Sequence, residues 1–277
     1  MPEPSAPTAV DPASLGFERV RYAKDTATGV ATVTIDRPQV LNAFDFLTLR
    51  ELGRAFEDAS WDDSVAVVVV TGAGERAFCT GADLDEQAGM GSTSGQYWRW
   101  MGAFIEMHDR LRNIGKPTIA RINGACVGGG NELQMACDLS VMSDDAYIRH
   151  VGPEHGSVPA GGATQWLPIL VGDRRAREIL MLCEPISPGQ ALEWGLVNRV
   201  VPADQLDSAV LDLASVIASK PPNTTSAGKR AFYLQMGMDL TRAYQLAGEV
   251  IASSFAHAEG KAGMEAFIEK RPPPGKK

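Results

Sequence analysis

A run of valines constrains the fold more than any other stretch of the chain. Val65–Gly74 reads "VAVVVVTGAG", with no polar side chain before Thr71. A strand that is apolar on both faces needs protein packed against both faces, as a strand inside a parallel sheet does. The run therefore predicts a buried strand of an α/β fold.

Strand and helix signals alternate around this run. Gly29–Pro38 alternates β-branched residues with smaller ones and ends at a proline, which is typical of a strand before a turn. Asp45 can cap a following helix. On the apolar face of that helix we expect Phe46, Leu49, Leu52 and Phe56. Further strands are expected in Lys116–Gly130 and Leu139–Ser143, and further helices in "NELQMACD", "GDRRAREILMLC" and "SPGQALEWGL".

The alternation predicts an α/β core over residues 17–202. Beyond Ala203 the pattern is almost wholly helical, which predicts a C-terminal helical segment over residues 203–277. The opening residues 1–16, "MPEPSAPTAVDPASLG", are rich in Pro, Ala and Ser and have no apolar centre. They predict a disordered tail and neither a signal nor a transit peptide. No apolar run approaches the ~20 residues of a membrane span, and we expect a cytoplasmic protein.

Charge and cysteine spacing exclude several classes of function. The net charge is −8, and no basic run is longer than the pairs "RR" and "KK", which disfavours nucleic acid and anionic membranes as partners. The four cysteines have no CxxC spacing, so neither a metal site nor a disulfide framework is expected. The stretch "GAGERA" lacks the helix and the later acid of a dinucleotide-binding motif, and the chain has no P-loop.

Three glycines, Gly128–Gly130, interrupt "INGACVGGGNELQMACD" between a strand and a helix. Glycines at such a place let the backbone approach a ligand closely and present free N–H groups at the positive end of the helix dipole. That arrangement stabilises an oxyanion. Tight packing of helix on strand is the alternative. Glu132 falls in the first turn of the helix, where it can act as a general acid or base, or simply complement the dipole.

The motifs "ERAFCTGADL", "INGACVGGGNELQMACDLSVMSDDA", "GSVPAGGATQ" and "ALEWGLVNRVVP" together resemble the enoyl-CoA hydratase/isomerase (crotonase) superfamily, over Phe17 to Arg271. The resemblance implies a crotonase-like spiral of ββα turns. It implies an acyl-CoA thioester substrate, with coenzyme A as part of the substrate and no permanently bound cofactor. It also implies a homotrimer or a hexamer built as a dimer of trimers, with the C-terminal helices in trimerisation and in closure over CoA.

The same resemblance assigns roles to individual positions. The backbone N–H groups of Ala82 and Gly129 would form the oxyanion hole for the thioester carbonyl, with Glu132 as acid/base. Substrate or CoA contacts would come from Val40 and Ala43 in "RPQVLNAF", Asp83 and Leu84 in "TGADL", Gly152, and Phe267 and Lys270 in "GMEAFIEKR". The last two could serve a neighbouring subunit, or Lys270 could be a solvated charge.

Hydratases of this family use a second glutamate, and its position here is ambiguous. The segment "VGPEHGSVPAGGATQ" is two residues shorter between its PE and its GSVP than the family pattern. An ungapped alignment puts the second acid position on Gly152, whereas aligning the PE pairs puts it on Glu154. The ungapped form resembles the branch that acts on cyclic acyl-CoA thioesters, including ring-opening hydrolases. His155 would then polarise water or a ring carbonyl, or be structural.

We therefore expect an acyl-CoA hydratase that adds water to a linear or cyclic α,β-unsaturated acyl group. Hydrolytic ring opening of a cyclic oxo-acyl-CoA, double-bond isomerisation, and non-catalytic binding of acyl-CoA are the alternatives. The other histidines, His108, His150 and His257, have no partner motif, so structural roles are expected for them.

Overall fold

The fold is known from a computed structural model, which describes residues 10–90 and 94–271. The strands of the described residues are β1 (Val20–Asp25), β2 (Val30–Ile35), β3 (Val67–Gly72), β4 (Ala77–Cys79), β5 (Thr118–Ile122), β6 (Ala125–Val127), β7 (Leu139–Ser143), β8 (Ile148–Arg149) and β9 (Arg199–Val201). They form a larger sheet in the order β1-β2-β3-β5-β7-β9 and a smaller one in the order β4-β6-β8.

Helices fill the remaining chain and cover the sheets. They are α1 (Phe46–Trp61), α2 (Leu84–Gly89), α3 (Ser94–Asn113), α4 (Gly129–Ala136), α5 (Ala163–Val171), α6 (Asp173–Leu182), α7 (Pro188–Glu193), α8 (Leu206–Ala218), α9 (Pro222–Leu234), α10 (Leu240–Ala256) and α11 (Ala258–Ile268). Short 3-10 helices connect several of them.

Consecutive strands alternate between the two sheets, and this alternation produces the spiral. Strands β3, β5 and β7 lie in the larger sheet, and each is followed by a strand of the smaller sheet, β4, β6 or β8. Only β1 runs antiparallel to its neighbour; all other pairs in the described residues are parallel. The α/β class and the spiral of ββα turns expected from the sequence are confirmed.

The valine strand lies at the centre of the larger sheet and is buried along its whole length. Val68 and Val70 join the main core, while Val67 and Val69 join a second core that Leu206 of α8 completes. Alternate side chains of a strand point to opposite faces, so both faces are covered by protein. This explains why the sequence of β3 does not alternate between apolar and polar residues.

Three local expectations require correction. Lys116–Gly130 is two strands, β5 and β6, because the chain turns at Asn123–Gly124: the Asn123 Nδ2 donates to the Gly74 carbonyl at 2.7 Å, and a Cβ on Gly124 would lie 2.5 Å from the Arg76 carbonyl. Phe46 is 40% exposed and does not join the buried face of α1. Helix α3 has no counterpart in the sequence-based expectation.

The tail expected over residues 1–16 can be compared with the structure only from residue 10 onward. Residues 1–9 lie outside the described residues. Pro12–Leu15 form a 3-10 helix capped by Asp11, and Leu15 packs against the main core. The expectation of disorder is therefore wrong for this helix, because Leu15 buries apolar surface there.

The C-terminal segment is helical, as expected. Helices α8 to α11 occupy most of residues 206–268, and residues 272–277 lie outside the described residues. In the described part of the chain, no helix has both the length and the apolar character needed to cross a membrane.

Candidate active site

The carboxyl ends of the three strands of the smaller sheet meet at one cavity. Strand β4 leads into Thr80–Ala82, β6 into Gly128 and Gly129, and β8 into His150. In open parallel sheets, ligands bind in the crevice beyond the carboxyl ends of the strands. A cavity of about 420 Å³ opens there, and residues from all three strand ends line it. This places the oxyanion candidates beside each other.

The backbone N–H of Ala82 points away from Phe44, which lies in the neighbouring loop before α1. The Phe44 N–H donates to the Gly81 carbonyl at 2.7 Å, and the Asp83 N–H donates to the Phe44 carbonyl at 2.8 Å. A trans peptide directs its C=O and N–H to opposite sides, so the Ala82 N–H is turned away from Phe44. Among the described residues it donates no hydrogen bond, and Ala82 lines the cavity.

The N–H of Gly129 is also free. It is the first residue of α4, and the first N–H groups of a helix have no partner within the helix. No other described group accepts from it. A Cβ built on Gly81 would lie only 2.9 Å from the Gly129 nitrogen, so the two loops are in contact. Two unpaired N–H groups side by side are the arrangement that stabilises an oxyanion.

Two glycines of the triplet, Gly128 and Gly130, are required for separate physical reasons. Gly128 has φ 53° and ψ −118°, a conformation that residues with a Cβ rarely adopt. A Cβ on Gly130 would lie 2.0 Å from the Cys79 carbonyl, so the close approach of α4 to β4 requires glycine there. The triplet therefore meets both expectations: it allows α4 to pack closely on β4, and it leaves the Gly129 N–H free to donate.

Glu132 lies in the first turn of α4 and lines the cavity with only 3% of its surface exposed. One carboxylate oxygen accepts from the Gly161 N–H at 2.8 Å and from the Ala163 N–H at 3.0 Å. Burial raises the pKa of Glu132 above its ordinary value, and the two backbone donors only partly oppose that shift. A buried carboxyl with a raised pKa is suited to accept and return a proton.

Glu154 lies outside this cavity. Its carboxylate pairs with the Arg149 guanidinium at 2.7 Å on the exposed side of the loop, whereas Gly152 and His155 line the cavity. The Ser157 N–H donates to the Gly152 carbonyl at 2.9 Å and closes this short loop. The two candidates for the second acid position are therefore separated, with the glycine on the cavity side.

His150 is a cavity residue for which the sequence led us to expect a structural role. It follows β8 directly, is 2% exposed and lines the cavity together with Glu132. Its Nε2 lies 2.7 Å from Nδ2 of Asn131. Burial lowers the pKa of His150 to about 4, so the ring is neutral near pH 7. Nothing in the local sequence signals this placement, because it follows from the register of β6 and β8.

One wall of the cavity is a row of stacked aromatic rings on α3. The Trp100 and Phe104 rings are 5.2 Å apart at 19°, and the Tyr97 and Trp100 rings are 6.4 Å apart at 16°. All three line the cavity. The spacing of three and four residues places them on one face of a helix, and the sequence "YWRWMGAF" carries this signal.

The mouth of the cavity contains the remaining predicted contacts of the core. Val40, Ala43, Asp83 and Leu84 all line it. Asp83 is held by Arg37 at 2.9 Å and caps α2 through the N–H groups of Asp85 and Glu86. Asp83 therefore organises the loop that carries Ala82. The exposed Asp85 also lines the mouth.

Phe267 and Lys270 are not brought to the cavity of their own chain. Phe267 is 81% exposed at the end of α11, and Lys270 follows in a left-handed conformation, φ 55°. Their expected contact with CoA stays a prediction. Among the described residues, no group of three His, Cys, Asp or Glu side chains is placed to hold a metal ion.

Comparison with known proteins places this geometry in a family. Residues 25–277 match the family model described as enoyl-CoA hydratase/isomerase. The structure is similar to an enoyl-CoA hydratase from Bacillus anthracis (TM-score 0.87, 32% identity, 92% of this chain and 98% of that one). It is also similar to an enoyl-CoA hydratase from Mycobacterium smegmatis (TM-score 0.88, 32% identity, 94% of this chain and 100% of that one). A putative enoyl-CoA hydratase from Streptomyces coelicolor A3(2) is similar as well (TM-score 0.89, 27% identity, 99% of this chain and 98% of that one).

Proposed function

Because the chain belongs to the enoyl-CoA hydratase/isomerase family, we propose that it adds water to an α,β-unsaturated acyl-CoA thioester, with Glu132 as the acid/base. The observation that carries the proposal is the position of Glu132, buried in the cavity one helical turn from the free N–H of Gly129. A protein that only binds acyl-CoA has no need of a buried carboxylate at that place.

The free N–H groups of Ala82 and Gly129 would hold the thioester oxygen. Charge grows on this oxygen when the thioester becomes an enolate, so the two hydrogen bonds strengthen in the transition state. One such donor is worth ~3–4 kcal/mol in comparable sites. The positive end of α4 adds to the stabilisation, because Gly129 is its first residue.

Glu132 would carry the proton in both half-steps. Its carboxylate accepts a proton from water while the water oxygen bonds to Cβ and the double-bond electrons move into the thioester enolate. The protonated Glu132 then gives that proton to Cα as the thioester carbonyl re-forms. Water is consumed, Glu132 is regenerated, and both new bonds form on one face of the acyl group.

Double-bond isomerisation is a second candidate, favoured by the position of Glu154. With Glu154 paired to Arg149 outside the cavity, Glu132 is the carboxylate beside the oxyanion donors. One carboxylate can move a proton from Cα of a 3-enoyl thioester to Cγ through the same enolate. This reaction needs no water in the cavity.

The aromatic wall of Tyr97, Trp100 and Phe104 supports a cyclic acyl group among the substrates. Flat rings of a substrate gain contact area against stacked rings of the protein. Ring opening of a cyclic oxo-acyl-CoA would need a second water after hydration, attacking the ring carbonyl. Of the other carboxylates that line the cavity in the described residues, Asp83 is engaged by Arg37 and by α2, and Asp85 is exposed at the mouth. We therefore rank ring opening below hydration.

Assembly is proposed from the C-terminal helices. They expose large apolar side chains, among them Phe232, Tyr244, Ile251 and Phe255. Exposed apolar side chains gathered in one segment are common at protein interfaces. They support a trimer or a dimer of trimers, in which Phe267 and Lys270 reach the CoA of a neighbour. A cytoplasmic location stays a prediction.

Mass spectrometry in ¹⁸O-labelled water separates the candidates. Crotonyl-CoA, cyclohex-1-ene-carbonyl-CoA and 3-hexenoyl-CoA are each incubated with the protein. A hydratase adds one labelled water to either 2-enoyl thioester. A ring hydrolase adds two to 6-oxocyclohex-1-ene-carbonyl-CoA, which is incubated in a separate sample. An isomerase moves the double bond of 3-hexenoyl-CoA without a change of mass, and liquid chromatography ahead of the mass spectrometer separates the two isomers. Binding of all three without any product would overturn the proposed function.

A further inference from the structure

His150 sits beside the oxyanion donors because of strand register. Strand β8 pairs in parallel with β6, with Arg149 opposite Val127, and the Gly128 N–H donates to the Arg149 carbonyl at 2.8 Å. His150 is therefore the next residue after β8, level with the Gly128–Gly129 turn. The backbone hydrogen bond between Gly128 and Arg149 therefore holds it in place.

A chain of buried side chains ends at the imidazole. The Ser140 hydroxyl donates to Oε1 of Gln134 at 2.6 Å, and the Gln134 Nε2 donates to Oδ1 of Asn131 at 2.9 Å. Asn131 is then left with its Nδ2 toward Nε2 of His150, at 2.7 Å. An amide N–H can only donate, so Nε2 is the accepting nitrogen and the ring proton lies on Nδ1.

Nδ1 of His150 is free and faces the cavity. Among the described residues, the sealed side-chain nitrogens without a partner belong to Arg37 and His108, and not to His150. The ring lines the cavity, and no described group pairs with its Nδ1. Because burial lowers the pKa of the ring to about 4, Nδ1–H is a neutral donor at pH 7. With Nε2 already engaged, the ring cannot take a proton from water.

The surroundings make this free donor selective. Trp100, Met101 and Phe104 line the same cavity and offer apolar surface. A hydrogen-bond donor that loses water on ligand binding and finds no acceptor costs free energy, whereas one that meets an oxygen does not. A site built to bond a substrate oxygen rejects the analogue that lacks it.

We infer that His150 is a specificity-determining residue, whose Nδ1–H binds a keto or hydroxyl oxygen carried by the acyl group. The inference rests on the proposed function for the identity of the ligand as an acyl-CoA thioester. It adds the substrate class: acyl groups with an oxygen besides that of the thioester. His155, on the exposed rim, is not fixed by such a chain.

The test compares the binding of thioesters that differ by one oxygen. Isothermal titration calorimetry measures Kd for acetoacetyl-CoA against butyryl-CoA, and for 2-oxocyclohexane-carbonyl-CoA against cyclohexane-carbonyl-CoA. None of the four has a double bond to hydrate, so binding is measured apart from hydration. Mass spectrometry of the titrated samples checks that the ring of 2-oxocyclohexane-carbonyl-CoA is not opened. In at least one pair, wild type should prefer the oxo form by about 5- to 100-fold. His150→Phe should reduce that preference to about twofold or less.

His155→Phe tests the rival position, since His155 is the other imidazole that lines the cavity. Its preference should stay within about twofold of wild type. No preference in either pair, or a preference lost in His155→Phe and kept in His150→Phe, would overturn the inference. If wild type prefers the oxo thioester but does not hydrate crotonyl-CoA, the proposed function alone would be overturned.

A measurement on wild type covers the case in which His150→Phe does not fold. Nitrogen-15 NMR of histidine-labelled protein at pH 7 should show two buried rings protonated on Nδ1: that of His108, whose Nδ1 donates to the Phe104 carbonyl at 2.8 Å, and that of His150. Only the His150 signals, identified by their absence from His150→Phe or by contact with bound ligand, should shift when acetoacetyl-CoA is added. A His150 ring protonated on Nε2, or the absence of any Nδ1 signal that acetoacetyl-CoA moves, would contradict the assignment.

Discussion

Glu132 and Gly161 are joined by a hydrogen bond of 2.8 Å, in which the backbone N–H of Gly161 donates to a carboxylate oxygen. The contact ties the acid/base on α4 to the loop that follows the 3-10 helix at Gly152–His155. It leaves the other carboxylate oxygen for substrate or water. It also explains why Gly161 has no side chain, since a Cβ there would lie 2.8 Å from that second oxygen.

Gly161→Ala should therefore impair catalysis more than folding. The added Cβ would also lie 2.6 Å from a Phe104 ring carbon, so the carboxylate and the aromatic wall must both shift. A displacement of the order of 1 Å costs ~10²-fold in rate in preorganised sites. We expect kcat to fall by about 10- to 100-fold, measured on the best substrate from the labelled-water assay. Gly189→Ala, in an exposed turn of α7 with no atom within 4 Å of the new Cβ, is the control and should keep wild-type kcat.

Glu132→Gln should change how stability depends on pH. Burial raises the folded-state pKa of Glu132 above 4.5, so between 4.5 and that higher pKa the folded protein holds a proton that the unfolded chain has lost. This contribution favours folding at low pH and is lost as pH rises through the folded pKa. Glutamine does not titrate and can accept both backbone hydrogen bonds. The difference in Tm, variant minus wild type, should rise from pH 4.5 and then level off; a fall with pH would contradict the raised pKa.

The pH profile of activity should report the same shift. If Glu132 must be ionised to accept a proton from water, kcat/KM declines as pH falls through its pKa in the free enzyme. The midpoint of that acid limb should lie above 4.5, the ordinary value for glutamate. Stopped-flow or absorbance assays across pH 4 to 8 would measure it. An acid limb at or below 4.5 would show that the ionisation of another group controls the rate.

Glu154→Gln should leave both stability and activity close to wild type. The ion pair with Arg149 is exposed, with side-chain exposures of 33% and 42%, and such pairs contribute ~0–1 kcal/mol. Arg149 also donates to the Cys183 carbonyl at 2.6 Å and so remains anchored without Glu154. Chemical denaturation and crotonyl-CoA turnover measure the two quantities. A free energy of unfolding lowered by more than ~1 kcal/mol would mean that the pair holds the loop.

Much of the fold and of the oxyanion site could be predicted from local sequence. The valines of β3 and the cap at Asp45 act within a few residues, and Gly129 and Glu132 are set by where one helix begins. Helix α3 has no strong local signal: Tyr97, Trp100 and Phe104 have helical spacing, but Gly and Arg residues between them weaken the pattern.

What the sequence could not predict depends on which strand lies beside which. His150 reaches the cavity because β8 pairs with β6 in one particular register, and its neighbour Asn131 is 19 residues away in the chain. Glu154 points away because Arg149, five residues earlier, attracts its carboxylate to the exposed side. The first outcome is tertiary and the second depends on how one short loop folds. The adjacent pair Glu154-His155 indicates neither of them.

The central claim is that Glu132, and not Glu154, moves the proton. The most direct test measures the rate of water addition to crotonyl-CoA and to cyclohex-1-ene-carbonyl-CoA by wild type, Glu132→Gln and Glu154→Gln. On whichever thioester wild type hydrates, we predict that Glu132→Gln loses about 10²- to 10⁴-fold in kcat and that Glu154→Gln keeps wild-type activity. If Glu154→Gln instead loses as much as Glu132→Gln, two glutamates share the reaction and the claim is wrong.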